Sequence, residues 1–189
     1  MRIAFKEWAV VVDALGRGDQ IIILRKGGVT EGRTGFQIQH DRFLLFPTLF
    51  HQQRESVISS AQRRYDASLP SLLPHSIHIA FVATLADWKH IDSFDAVMRL
   101  RGQHVWRDEV IRDRFDRGVS KGIFAMALRV SRLTEHIVLP MRSEYGGCKS
   151  WAELDSVVPT GAAQQVLTDS EFESKLQHFR AALEPAVVP

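Results

Sequence analysis

Apolar and polar positions divide the chain into a strand-rich first half and a mixed second half. Residues 5–14 and 20–26 hold unbroken apolar stretches, Ala9, Val10, Val11 and Val12 in one and Ile21, Ile22, Ile23 and Leu24 in the other. This is the pattern of strands covered on both faces. The intervening Leu15-Gly16-Arg17-Gly18-Asp19 predicts a turn, and the whole predicts a β-hairpin opening a sheet. Gly27, Gly28, Gly32 and Gly35 mark a polar excursion, after which residues 42–46 read as a short strand. Pro47 stops it, because its missing N–H ends a ladder. Residues 51–65 turn helical, with Val57, Ile58, Ala61 and Tyr65 on one face. Residues 68–74, with two prolines, read as a linker, and residues 76–85 resume strand character.

In the second half Ser93 is placed to cap a helix over residues 94–101, and residues 106–115 carry Trp106, Val110 and Ile111 at helical spacing. Residues 122–130 read as a strand, followed by an extended piece at 136–139 before Pro140. Ser150 with Glu153, and Thr168 with Glu171, each fit a capping box that opens a helix. Phe172, Leu176, Phe179 and Leu183 make a helical stripe ending at Pro185. Strands come first and then mix irregularly with helices, which predicts an α+β fold. The expected architecture is an antiparallel or mixed central sheet of about five to six strands, opened by the hairpin and packed with several helices including a C-terminal one. Residues 1–155 are expected to form a single domain, with 156–189 supplying a linker and a C-terminal helix packed on it.

The 189 residues are 45% apolar and 24% charged, ordinary globular composition. Cys148 stands alone, which excludes a disulfide framework and leads us to expect a reducing, cytoplasmic setting. Apolar runs fall far short of the roughly 20 residues that a membrane span requires, so no membrane partner is expected. Net charge is +2 but uneven: residues 1–65 hold ten Lys and Arg against six Asp and Glu, whereas residues 151–189 hold two against six. Eighteen of the 24 basic residues are Arg, whose planar fork suits phosphate. A sequence pI near 8.9 is too low for coating duplexes non-specifically, so a nucleic-acid contact would be local.

Candidate chemistry gathers at the end of the expected hairpin. Its ladder would bring Lys6 close to Gly28, beside Arg25 and Lys26, and the Gly27-Gly28 turn would let backbone N–H groups approach an anion. Arg129 and Lys149 are possible additions. A second place is Thr48, His51 and Gln52, between a strand and a helix start, where helix N–H donors favour phosphate. A simple meander would put this segment at the opposite end of the sheet from Lys26. His51 as general acid or base, assisted by Glu7 or Glu31, is the enzymatic alternative. Sharper motifs fail. Gly16-Arg17-Gly18 leads into a strand rather than a helix, and Gly146-Gly147-Cys148-Lys149-Ser150 lacks the first glycine of a phosphate loop. His75 and His78, three apart in a predicted strand, point to opposite faces, so no metal is expected there, and no cofactor either. Arg107, Arg112, Arg114 and Arg117 lie among Asp108, Glu109, Asp113 and Asp116, which reads as a self-neutralising, solvated helix.

Five short pieces, taken in order, carry a resemblance: Phe5-Lys6-Glu7-Trp8 with Ala14-Leu15, Leu24-Arg25-Lys26-Gly27-Gly28, Phe46-Pro47-Thr48 with His51-Gln52, Leu128-Arg129-Val130, and Glu144-Tyr145 through Ser150-Trp151. Over residues 4–155 the chain resembles the prokaryotic family named domain of unknown function 1802. The resemblance implies no catalytic residue. It does imply an occasional association with restriction-endonuclease-like domains, hence a restriction or defence setting. The expected function is therefore an accessory or recognition module for a phosphate-bearing ligand, nucleic acid first. Its ligand-binding residues would be Lys6, Arg25, Lys26, Gly27, Gly28, His51, Gln52, Arg129 and Lys149, and its partner a restriction-type nuclease or other defence protein. The alternatives are a phosphoester hydrolase or nuclease and a structural protein-interaction subunit, the last of which would expose an apolar patch.

Overall fold

A computed structural model describes residues 1–26, 37–49, 54–68, 75–118, 121–147 and 149–184. The elements in chain order are β1 (Ile3–Trp8), α1 (Ala9–Gly16), β2 (Ile22–Arg25), β3 (Arg42–Thr48), α2 (Ser59–Ser68), β4 (Ser76–Ile91), α3 (Phe94–Met98), α4 (Asp108–Asp116), β5 (Ile123–Pro140), β6 (Trp151–Glu153), β7 (Gln164–Gln165) and α5 (Asp169–Leu183). One mixed sheet runs β2-β5-β4-β3-β1-β6, with β7 added to β5. Only β1 and β3 pair in parallel among the described strands. The sheet curls until its two ends meet: Arg25 of β2 lies over the Phe5 ring of β1, 5.4 Å from its centroid, and its Nε donates to Ser150 Oγ, just before β6, at 2.9 Å. The α+β class, the mixed sheet and the C-terminal helix are as the sequence pattern predicts.

The opening hairpin is not. The run after Trp8 coils into α1, in which every residue but Asp13 is buried. A continuous apolar run records burial on all sides, and burial alone does not separate a covered strand from a covered helix. Gly18, at φ +73°, ends α1 in the left-handed conformation that glycine adopts without strain, its N–H donating to the Leu15 carbonyl. β1 and β2 consequently never share a ladder.

Gly16 closes α1 where the Phe81 ring leaves no room. A Cβ there would lie 2.1 Å from Phe81 Cζ, and the Gly16 carbonyl accepts from Arg132 Nη2 at 2.9 Å. Gly16→Ala is expected to destabilise the fold by about 1–3 kcal/mol through overpacking, read as a lowered urea midpoint.

β3 continues through Pro47 to Thr48 rather than stopping. Beyond Leu44 it has lost its described pairing with β4 and keeps only β1, so a residue without N–H is tolerated on that open side. β4 runs 16 residues, beyond the expected end at 85, and β5 runs 18, joining the expected pieces at 122–130 and 136–139. Ser150 caps no helix. Its hydroxyl takes Arg25 and its carbonyl takes the Lys6 N–H at 2.8 Å, so the residues after it are drawn into β6. The Thr168 and Glu171 capping box forms in full, and the stripe behind it packs into the main hydrophobic cluster.

Candidate functional site

Alternation along β1 turns Phe5 and Glu7 to the interior of the curl, and Glu7 is only 1% exposed. One of its oxygens accepts the Trp8 N–H at 2.8 Å; the other, Oε2, is buried without a hydrogen-bond partner. Facing it from α4 is Arg114. The guanidinium donates to the Leu24 carbonyl at 2.8 Å and lies 4.9 Å from the Trp8 ring centroid and 4.7 Å from that of Trp106. Its pKa is lowered to about 10, chiefly by burial, with the Glu7 charge opposing the shift and the charges of Arg25 and Arg117 adding to it. Arg114 therefore stays charged at neutral pH, with Arg25 near enough to repel it.

His104 completes the cluster. It is 7% exposed, its ring packs 5.6 Å from that of Trp106, and Nδ1 has no partner. Burial, then the Arg114 charge, bring its pKa down to about 4, against the smaller pull of Asp108 and the Trp106 backbone. Trp106 Nε1 is likewise buried and unpartnered. Glu7 Oε2, His104 Nδ1 and Trp106 Nε1 thus belong to three neighbours of one guanidinium. Buried polar atoms are nearly always hydrogen-bonded, so three exceptions around one charge single this place out among the described residues.

The charges of the expected site residues are taken up by different partners. Lys6 spends its ammonium on the carbonyls of Tyr145, Gly146 and Gly147, at 2.8, 3.3 and 2.7 Å. Lys26 donates to the carbonyls of Phe115 and Gly122, at 3.2 and 2.8 Å. Both lysines tie the sheet to a distant segment. Arg129 is turned to α5, with its guanidinium on Gln165 and Asp169 and 4.5 Å from the Phe172 ring centroid. Lys149 is exposed, next in the chain to the Ser150 that holds Arg25. Gly27, Gly28, Glu31, His51 and Gln52 lie outside the described residues. Because β3 runs parallel to β1 and pairs Thr48 with Trp8, it ends beside the Trp8 that supports Arg114, and the meander that would have sent it to the far end does not form.

Arg114 is the residue that a reading of charge overlooks. Its neighbours on α4 neutralise it on paper, yet it lies between Ile111 and Phe115 on the face that those two bury. Helical spacing carried the signal, since positions three and four apart share a face.

The sequence model of the family described as Domain of unknown function (DUF1802) matches residues 4–178, reaching past the motifs and into α5. The chain belongs to this family. The DUF1802 chain is also similar to solved structures of an ASCH protein from Zymomonas mobilis. The unsubstituted form has a TM-score of 0.46 at 14% identity over 93% of this chain and 92% of that one. A mutant of that protein with one tyrosine replaced by phenylalanine gives 0.45 at 14% identity, over 93% of this chain and 96% of that one. No curated protein matches the chain. Among the described residues, no helix is long and apolar enough to cross a membrane.

Proposed function

We propose that this DUF1802 protein is a recognition module that binds a phosphate-bearing ligand, nucleic acid ahead of other anions, where Arg25 and Arg114 approach each other. The observation that carries this reading is the pair itself. Two guanidiniums are held on aromatic faces, Arg25 on Phe5 and Arg114 on Trp8, with Arg114 bonded to the carbonyl of Leu24 next to Arg25, and an anion between them relieves their mutual repulsion. Guanidinium is also the cation whose fork matches phosphate oxygens. The arginine-rich composition points the same way. Following the family resemblance, the module would serve in a restriction or defence setting beside a nuclease or other defence protein.

Titration of short DNA and RNA strands at several salt concentrations tests the reading. Affinity should fall as salt rises, and Arg25→Ala should weaken it and flatten the slope of log K against log salt by about 0.7, as for one lost phosphate contact to a single strand. Unchanged affinity in Arg25→Ala would refute the site. Cleavage of the same strands on adding a divalent cation would favour the hydrolase in which His51 acts with Glu7 or Glu31.

A further inference from the structure

The geometry points to a stacking platform for the bases of a single-stranded nucleic acid, running from Arg25 across β5 and β4 with Trp88 as its outermost ring. Arg25 is in register with Phe124 of β5, and Phe124 with His90 of β4. Residues directly opposite one another project from the same face, so these three side chains stand in a row. Trp88, two residues before His90, projects from that face too. Phe124 has Trp88 on one side and His90 on the other, at ring-centroid distances of 5.9 and 4.8 Å.

The outer end of this row lies along the part of β4 that has no described partner on its other side. The described pairing of β3 with β4 reaches only Thr84, and the next N–H, that of Leu85, goes to the Asp41 carbonyl. From there to Ile91 the described partner of β4 is β5 alone, and Trp88 is 50% exposed. Gly122 fixes the ring beside it: a Cβ at that position would lie 2.7 Å from the His90 ring, so His90 rests directly on the glycine backbone.

A row of rings with a guanidinium at its end has a chemical meaning. Every base has a π-face that stacks on an aromatic ring whatever its identity, while the phosphate that follows it needs a cation. A duplex keeps its bases stacked on one another and cannot offer them, which commits the ligand to a single strand. This inference rests on the anion-binding reading of Arg25 and adds to it the kind of nucleic acid and the mode of contact.

The test uses the full chain and four probes of about ten nucleotides: oligothymidylate, oligouridylate, an abasic deoxyribose-phosphate strand and a duplex. Fluorescence anisotropy should find the base-bearing strands bound about 5- to 100-fold tighter than the abasic strand. Trp88→Ala should erase that preference while leaving abasic affinity and salt slope at wild-type values, and Trp88→Phe should keep most of it. Circular dichroism of the variants checks the fold. The platform is overturned if Trp88→Ala binds base-bearing strands as the wild type does, or if the wild type binds the abasic strand or the duplex equally well. Failure of all four probes to bind at low salt instead overturns the anion-binding reading beneath it.

Discussion

Arg114→Met should lower the stability of the fold by roughly 3 kcal/mol, seen as a shift of the urea midpoint. Methionine fills much of the space between Trp8 and Trp106, so what is lost is the charge and its hydrogen bond. The bond to the Leu24 carbonyl is charge-assisted, a class worth about 1.5–3 kcal/mol. The larger consequence falls on Glu7. Its carboxylate is 1% exposed, and the Arg114 charge, acting through space, is part of what makes an ionised group tolerable there. Removing one of two mutually compensating charges leaves Glu7 stranded in the interior, so the two sites should couple. Glu7→Gln combined with Arg114→Met should recover part of the loss. Strict additivity, within about 0.5 kcal/mol, would mean that the two charges do not sense each other and that Glu7 is tolerated for another reason.

Acidification should destabilise the protein between about pH 6.5 and pH 4. Burial and the Arg114 charge hold folded His104 near 4, whereas an unfolded chain returns it to the ordinary value of 6.5. As pH falls through that window the unfolded chain takes up the proton first. Stability therefore rises with pH across the window and is lost below it, on the order of 3 kcal/mol once both states are protonated. Denaturant melts at pH 7.5 and pH 5 measure the difference, and His104→Gln, which does not titrate, should flatten it. Asp108, held low by its hydrogen bond from Arg101, and Glu171, held low by those from Thr168, are lost only in stronger acid. An acid limb unchanged in His104→Gln would refute the assignment.

Local chemistry was legible in the residues themselves. Ser93 accepts from the Ala96 N–H at 3.4 Å, Thr168 and Glu171 close their capping box, and the stripe from Phe172 to Leu183 is buried as its spacing requires. Each depends on partners within a few positions, so chain pattern suffices. The candidate site was legible only in part. Arg25 is one of nine residues the pattern offers, Lys6 joins it there only through a hairpin that never forms, and Lys6 and Lys26 each bind carbonyls far along the chain.

The α+β class, the caps of α3 and α5 and the positions that seek burial were settled by the residues alone, because these follow from side-chain volume, polarity and short-range periodicity. Tertiary structure alone decided that residues 9–16 coil, that Ser150 starts β6 instead of capping a helix, and that Arg114 leaves its charged neighbours to meet Trp8, Trp106 and Glu7. Those outcomes turn on contacts between residues far apart in the chain, such as Arg25 with Ser150, 125 positions on. A buried apolar run satisfies helix and strand equally, and a charge can be neutralised by its neighbours or by the interior. The choice falls to whichever distant partner the folded chain brings near.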